Sequence, residues 1–345
     1  MNVISFPNET EARIRGCLYG QALGDAMGMP SELWTKKQVI SFFGWIDRFL
    51  PGPEENIAAS EFSAGEFTDD THQCVALMNA IIECKGKVDP ITIARHIMTW
   101  AESCNAFEKN ILGPTSKSSL KAIARGVAID DIVSNGVTNG SAMRVAPLGC
   151  LVPTSDKNHF IEQVRLSCAP THKSDIAIAG AVVIAWCISR AIDGISWSDI
   201  KKEIVPLGNE TQRRYESTFS PLLGDRIDFA LNTVTGQTDH LTGIDSIYEK
   251  VGAGMDIIES IPAAIALVEL ADASPVKCAV LAANLGGDTD TIGAMATAIC
   301  GAIQGIQSIP EDYIQNINQA NNIDFTPFSH QLYRYRTTST CGDPV

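Results

Sequence analysis

Three short acidic segments stand out, because each interrupts apolar sequence with residue types that can do chemistry. They are Gly24-Asp25 with nearby Glu32, the run Thr68-Asp69-Asp70-Thr71, and the run Gly286-Gly287-Asp288-Thr289-Asp290-Thr291. Taken singly, each has a structural explanation, since Thr and Asp are good N-caps and Asp in a first turn complements the helix dipole.

The spacing of the carboxylates favours a second interpretation, a cation site. Asp69 adjoins Asp70 and Asp288 lies two residues from Asp290, so the negative charge must be solvated or neutralised. Carboxylates and Thr hydroxyls are oxygen ligands that suit Mg²⁺ or Mn²⁺, whereas Zn²⁺ favours His and Cys. Two such segments, brought together from distant parts of the chain, could hold two ions about 3.5 to 4 Å apart, as in binuclear hydrolytic sites.

Two further short segments, one polar and one a glycine pair, each allow two interpretations. Residues 139–144, Asn-Gly-Ser-Ala-Met-Arg, could bind a ligand through Ser141, backbone amides and Arg144. An Asn-Gly turn with a buried Arg ion pair explains them nearly as well. The pair Gly286-Gly287 either admits a phosphate or another backbone closely, or forms a tight turn before a close-packed helix.

Two histidines accompany these segments. His172 follows Thr171 and precedes an apolar helix, so it could cap that helix, lie in the core or contact a ligand, and spacing alone favours the first two. His72 is equally ambiguous, because a neutral imidazole next to Asp70 could orient a metal ligand.

Composition bounds the classes of function. With 345 residues and 45% hydrophobic content, the chain can bury a large core. Its net charge of -14 argues against nucleic acid as a partner, because phosphate neutralisation needs Lys and Arg. A small anionic ligand remains compatible, since helix N-termini and bound cations offset charge locally.

The cysteines and apolar runs indicate a cytoplasmic protein without membrane association. The ten cysteines show no paired CxxC spacing and lie mostly in apolar stretches, which favours buried free thiols in a reducing compartment. The first residues lack the pattern of a secretory signal. The most apolar run, 176–188, is short for a membrane span and is typical of a core helix.

Helical patterns dominate, so we predict a compact all-α single domain of many helices. The clearest predicted helices are 71–84, 90–101, 175–192, 256–270, 275–283 and 291–306. Two stretches are predicted to be irregular, 42–65 and 194–243. The predicted division is a flexible N-terminal tail at 1–11, a domain at 12–335 and a C-terminal tail at 336–345.

Four motifs together resemble the ADP-ribosylglycohydrolase family, the group that includes the glycohydrolase activating dinitrogenase reductase. They are GCLYGQALGDAMGMPSELW (16–34), FTDDT (67–71), NGSAMRVAPLG (139–149) and GGDTDTIGAMATAICGA (286–302). Weaker similarities at 113–126, 171–172 and 252–264 extend the resemblance over most of the chain. The family usually has Gln or a small or apolar residue after TDDT, where this chain has His72-Gln73.

The resemblance implies an all-α ADP-ribosylglycohydrolase-like fold with a binuclear metal cleft holding two Mg²⁺, with Mn²⁺ as the alternative. Its implied metal ligands are Thr68, Asp69, Asp70, Asp288, Asp290 and Thr291. The catalytic carboxylates would be Glu32, Asp69 and Asp70, with Glu32 contacting the metal site or activating water. The substrate-binding residues would be Gly113, Thr115, Ser116, Gly140, Ser141, Met143 and His172.

The resemblance also implies an activity, removal of ADP-ribose from modified protein side chains. It favours the N-glycosidic linkage to arginine, as in hydrolases that reverse arginine ADP-ribosylation, including immunity proteins against ADP-ribosylating toxins. The N-terminal tail could then contact such a toxin. Two alternatives are a binding or immunity module without turnover, and a hydrolase of serine-linked ADP-ribose or O-acetyl-ADP-ribose.

Overall fold

The computed structural model describes residues 8–109 and 111–340, and within them the regular structure is helical, with two isolated β-bridges and no strand. The α-helices are α1 Glu9–Gly28, α2 Lys36–Phe43, α3 Asp69–Glu83, α4 Pro90–Ser103, α5 Pro114–Ala124, α6 Ala146–Leu151, α7 Lys157–Cys168, α8 Asp175–Ile192, α9 Trp197–Arg214, α10 Leu223–Val234, α11 His240–Ser246, α12 Ile257–Leu270, α13 Pro275–Ala283, α14 Thr289–Gln304, α15 Glu311–Asn321 and α16 Thr326–Thr340. Short 3₁₀ turns at Met29–Ser31, Ile129–Asp131 and Ile306–Ser308 and a π turn at Ile247–Val251 link some of them. The all-α prediction is confirmed.

Helix α8 is the central core helix. Its N-cap Ser174 accepts a hydrogen bond from the Ala177 amide, and apolar residues then continue on all sides of the helix. By length and composition it is the one helix in the described residues that could cross a membrane, but 94% of it is buried inside the protein. Burial on every face explains an apolar pattern without any polar stripe.

The prediction that residues 194–243 are irregular is wrong, because they contain α9 and α10. In α9 the buried residues Ile200, Ile204 and Leu207 follow helical spacing, but charged residues between them obscure the pattern. Pro206 lies within the helix on its exposed side. The prediction of an irregular segment at 42–65 is confirmed from residue 44 onward, since α2 ends at Phe43 and no helix forms before α3 begins at Asp69.

Helices α1 and α14 pack with their backbones in contact. A glycine recurs at every fourth position along one face of α1, at Gly16, Gly20, Gly24 and Gly28. A Cβ at Gly20 would lie 2.3 Å from the Thr297 carbonyl oxygen of α14, so no larger residue fits there. This close approach brings Asp25 of α1 alongside the N-terminus of α14.

The ends of the described chain are helical. Helix α1 begins at Glu9 and α16 ends at Thr340, so the predicted boundaries at 12 and 335 fall inside helices. Residues 1–7, which include most of the predicted N-terminal tail, and residues 341–345 lie outside the described residues. The nine cysteines in the described part are unpaired, and seven of them are buried.

Candidate active site

Two helix N-termini meet at the centre of the protein. The run of residues 68–71, from here on the first acidic segment, leads into α3, and the run of residues 286–291, the second acidic segment, leads into α14. The Thr68 hydroxyl lies 3.1 Å from the Asp70 Oδ2 atom and 3.4 Å from the Asp290 Oδ2 atom, so it joins the two segments. Both helix dipoles place positive potential at this point and favour negative charge.

Helix capping explains only part of this arrangement. Thr68 caps α3, because its hydroxyl accepts a hydrogen bond from the Asp70 amide over 3.4 Å. Asp288 occupies the N-cap position of α14, yet its side chain makes no capping hydrogen bond there. Instead its Oδ2 atom accepts a hydrogen bond of 2.6 Å from the Asn139 side chain. Capping therefore does not account for the Asp288 carboxylate.

Asp25 holds the first acidic segment. Its carboxylate accepts hydrogen bonds from the Thr68 amide (2.9 Å), the Thr71 amide (3.0 Å) and the Thr71 hydroxyl (2.6 Å). Burial raises the Asp25 pKa to about 6, although these hydrogen bonds lower it. Because both carboxylate oxygens already accept hydrogen bonds, Asp25 positions the segment.

The second acidic segment is held by backbone contacts. Gly287 exchanges two hydrogen bonds of 2.7 Å with residues 33 and 34, and the Asp288 amide donates to the Ala253 carbonyl over 2.7 Å. Gly287 has φ +84°, and a Cβ there would lie 2.1 Å from the Ala253 oxygen. The glycine therefore admits another backbone, which is one of the two interpretations of the Gly286-Gly287 pair.

These backbone bonds bring Glu32 to the carboxylates. Glu32 lines the cleft above them, within hydrogen-bonding reach of Asp290. Burial, followed by repulsion from Asp288 and Asp69, raises the Glu32 pKa to about 8. Burial and repulsion from Asp25 raise the Asp69 pKa to about 7. Carboxyls this crowded must share protons or be neutralised by a cation.

Two buried carboxylate oxygens indicate that a cation, and not shared protons alone, suits the crowded negative charge. Within the described residues, the Oδ1 atoms of Asp70 and Asp290 are buried without a hydrogen-bond partner. An unpartnered buried oxygen is costly unless an ion or water satisfies it, and hard cations prefer oxygen ligands. No group of three or more His, Cys, Asp or Glu in the described part is already arranged around an ion position. The residues thus fit a cation.

A substrate cleft of about 410 Å³ opens above the two acidic segments. Its lining includes five of the predicted substrate-binding residues, Gly113, Ser116, Gly140, Met143 and His172. Thr115 and Ser141 do not line the described part of this cleft. The Thr115 side chain packs against Gly136, and the Ser141 hydroxyl donates to the Ala177 carbonyl over 3.4 Å. A binding role for these two residues stays a prediction.

His172 forms a buried wall of the substrate cleft. Its Nδ1 atom lies 2.9 Å from the Thr171 hydroxyl and its Nε2 atom lies 3.1 Å from the Thr138 hydroxyl. Burial, together with the nearby Arg144 charge, lowers the His172 pKa to about 3, so the ring is neutral. The N-cap of α8 is Ser174, so the interpretation of His172 as the cap of this helix is wrong.

Arg144 connects the acidic segments to the wall of the cleft. Its guanidinium donates to the Gln73 side-chain oxygen and the Gly140 carbonyl, both over 2.9 Å, and to the Thr171 hydroxyl over 2.5 Å. Gln73 in turn donates to the Asp69 Oδ2 atom over 2.8 Å. Arg144 makes no ion pair within the described residues, so the predicted alternative of a buried Arg ion pair is not found. The guanidinium orients groups on both sides of the cleft floor.

Sequence reasoning missed three contributors, Asp25 as a positioning group, Gln73 and Asn139. Gln73 lies one helical turn after Asp69, and that spacing was a usable signal. Asn139 contacts Asp288 across 149 residues of sequence, which no local pattern indicates.

Within the described residues, carboxylates at two helix N-termini lie beneath a cleft, an arrangement that suits a cation next to a ligand site. The sequence model of the ADP-ribosylglycohydrolase family matches residues 7–340, and the chain belongs to that family. YegU, an uncharacterized protein of Escherichia coli strain K12, is 54% identical over 324 residues, covering 94% of this chain and 97% of YegU.

Two further similarities are more distant. The ADP-ribosylarginine hydrolase Tri1 of Pseudomonas putida strain GB-1 is 23% identical over 329 residues, covering 92% of this chain and 77% of Tri1. A solved structure described as an ADP-ribosylglycohydrolase-related protein complex superposes with a TM-score of 0.69 at 22% identity, covering 95% of this chain and 99% of that chain. This likeness shows the ADP-ribosylglycohydrolase fold.

Proposed function

We propose that the protein is an ADP-ribosylhydrolase that cleaves the N-glycosidic bond between ADP-ribose and an arginine side chain, using two Mg²⁺ or Mn²⁺ ions. The observation that carries this proposal is the pair of unpartnered oxygens on Asp70 and Asp290, buried where two helix N-termini meet under a cleft. Family membership supports the reaction class. The arginine linkage is supported by the name of one relative, Tri1.

The residues that would hold the ions are those of the two acidic segments, Thr68, Asp69, Asp70, Asp288, Asp290 and Thr291. When bound, the ions would orient the ribose hydroxyls and offset the crowded carboxylate charge. Asp25, Asn139 and Gln73 would keep the carboxylates in place through the hydrogen bonds described above.

Glu32 is the proposed general base. It lines the cleft, and once cations offset the neighbouring carboxylates its ionised form could accept a proton from a water in the cleft. The water oxygen would bond to the anomeric carbon as the bond to the arginine nitrogen breaks, and the proton that Glu32 takes from the water would pass to that nitrogen, so the products are free ADP-ribose and arginine. Gly140 and the neutral His172 would shape the wall against which ADP-ribose lies.

The test is release of free ADP-ribose from an arginine-ADP-ribosylated protein, with Mg²⁺, with Mn²⁺ and with chelator. The double substitution Asp69→Asn with Asp70→Asn removes two carboxylates at nearly constant volume. Asp312→Asn, an exposed carboxylate on α15, is the matched control. We expect cation-dependent release that the double variant loses by at least about 100-fold, about 2.7 kcal/mol of barrier, and that the control retains.

The alternatives predict different outcomes of the same assay. Release only from serine-linked ADP-ribose or from O-acetyl-ADP-ribose would overturn the arginine linkage but keep the hydrolase. ADP-ribose binding without release from any of the three substrates would indicate a binding module. The similarities to known proteins give no support for a toxin as partner or for an immunity role, and neither is part of the proposal.

A further inference from the structure

A second cleft of about 430 Å³ adjoins the substrate cleft, and the two share Asp69 and Ile111 in their linings. Its size lies within the range of about 300–1,000 Å³ that is typical of ligand pockets. The second cleft is formed by the loop before α3, the end of α4 and the end of α15. It therefore begins at a predicted catalytic carboxylate and leads away from the ADP-ribose side.

One wall of the second cleft is aromatic. The His72 ring stacks on Trp100 with ring centroids 6.0 Å apart and an interplanar angle of 22°, and Phe67 meets His72 edge-on at 4.8 Å. His72 thus faces this cleft, and among the described residues it makes no side-chain hydrogen bond to Asp70. A planar cation stacks favourably on such a wall.

The rest of the lining carries an excess of negative charge. Glu61, Glu66 and Asp69 contribute carboxylates, and Lys109, the one amine in the described lining, is 2.7 Å from Glu61. One Glu66 oxygen accepts a hydrogen bond of 2.5 Å from the Ser63 amide, which fixes the carboxylate on its loop. The described lining therefore holds more carboxylates than cationic groups to pair with them.

The loop that carries Glu61 and Glu66 is held in place. The Asn321 side chain at the end of α15 donates to the Gly65 carbonyl over 2.9 Å and accepts from the Phe67 amide over 3.1 Å. The outer rim includes the exposed residues Glu61 and Ser103, so a side chain of another protein can enter from solvent. The second cleft is a positioned, open and acidic groove with an aromatic side.

We propose that the second cleft binds the guanidinium-bearing acceptor, the modified arginine of the substrate protein, while the substrate cleft holds ADP-ribose. This inference rests on the proposed function and names its acceptor subsite. A guanidinium is planar, always charged, suited to carboxylates and able to stack on aromatic rings, which matches the walls described. The bond to be cleaved would then lie beside Asp69, where the two clefts join.

The test uses Glu66→Gln, which removes the charge but keeps an oxygen for the Ser63 amide. Glu54→Gln is the matched control, because Glu54 is an exposed carboxylate of the same loop outside both clefts. KM is measured for ADP-ribosylarginine and for O-acetyl-ADP-ribose, whose acceptor is uncharged. We expect Glu66→Gln to raise the KM for ADP-ribosylarginine relative to that for O-acetyl-ADP-ribose by about 3- to 10-fold, the effect of losing one solvent-accessible charged contact. Glu54→Gln should leave the ratio unchanged.

A second measurement does not depend on turnover. Agmatine, a small guanidinium compound, is titrated into the wild-type protein and both variants, and its binding is followed by NMR. Weaker binding to the Glu66→Gln variant alone supports the acceptor site even if no substrate is hydrolysed, in which case only the proposed function fails. Hydrolysis of ADP-ribosylarginine with an unchanged KM ratio, or agmatine binding unaffected by Glu66→Gln, overturns the acceptor site and leaves the proposed function standing.

Discussion

The two acidic segments reach the same site by different physical means. The first is held by a buried carboxylate, since Asp25 accepts hydrogen bonds from two backbone amides and one hydroxyl of residues 68–71. The second is held by its backbone, through Gly287 and the Ala253 carbonyl, and the Asn139 side chain donates a hydrogen bond to Asp288. The first segment should therefore be sensitive to loss of charge and the second to added volume.

The largest expected effect acts on both segments together, through pH. In metal-free protein the folded-state pKa values of Asp69, about 7, and Glu32, about 8, lie above those of the unfolded chain. The folded state then binds more protons, so its stability falls as pH rises from about 4 towards 8. Between pH 5 and 7 the loss is about 2 kcal/mol for Asp69 alone, because its folded-state carboxyl is half ionised at pH 7.

Thermal unfolding in chelator and in Mg²⁺ at pH 5.5, 7.0 and 8.5 checks this expectation. A bound cation replaces the protons, so the stabilisation by Mg²⁺ should grow with pH. Sodium chloride at matched ionic strength is the control for screening. Parallel pH profiles with and without Mg²⁺ would contradict a cation at these carboxylates.

The next largest effect is expected from Gly287→Ala in the second segment. The new Cβ would meet the Ala253 oxygen at 2.1 Å, at a residue whose φ is +84°. We expect a loss of about 3 kcal/mol in the free energy of unfolding from strain and overpacking. Gly236→Ala is the matched control, with φ +77° and no atom within 4 Å of the new Cβ, and should cost about 1 kcal/mol. Equal losses in urea unfolding would show that close backbone approach does not hold this segment.

Asp25→Asn tests the first segment and should have a smaller effect. An Asn side chain must turn its amide towards one of the buried donors of Thr68 or Thr71, which costs about 2 kcal/mol. Asp239 accepts hydrogen bonds in a similar pattern, from two amides and the Thr242 hydroxyl, but is exposed. Asp239→Asn should therefore change the unfolding free energy by less than about 0.5 kcal/mol. If the two variants lose the same stability in urea, burial of Asp25 is not what fixes the segment.

The sequence alone predicts much of this site, because its chemistry is local. Helices α8 and α13 have the predicted bounds, since polar caps and prolines border their apolar runs. Adjacent carboxylates such as Asp69 and Asp70 indicate crowded charge by their spacing alone. The position of Thr68 just before these carboxylates also indicates a helix N-terminus, because hydroxyl side chains are favoured as N-caps.

The contacts that unite the segments are not local, and the sequence does not show them. The hydrogen bond from Asn139 to Asp288 joins parts of the chain that are 149 residues apart, and the Asn-Gly pair alone indicates only a turn. Helix α9 was missed because its buried positions are separated by charged residues. The second cleft is made where a loop meets two helix ends, so no single motif encodes it.

Asn139→Ala should have the smallest effect on stability and a selective effect on cation binding. It removes the Asn139 donor to Asp288, whose pKa is about 6 because burial raises it while hydrogen bonds from the Asn139 and Thr291 side chains lower it. The loss of stability should be about 1 kcal/mol. Without this donor the ionised form of Asp288 is less favourable, so Mg²⁺ affinity at pH 7 should fall about 10-fold.

Asn232→Ala is the matched control, since Asn232 donates to Asp228 over 3.0 Å at the exposed surface. Calorimetric titration of Mg²⁺ into both variants separates the two contributions. A normal Mg²⁺ affinity in Asn139→Ala would mean that the second segment is positioned by its backbone alone. A reduced affinity at pH 7 that recovers at pH 8.5 would instead show that Asn139 acts by keeping Asp288 ionised. Without the Asn139 hydrogen bond Asp288 holds its proton more tightly, and the higher pH removes that proton.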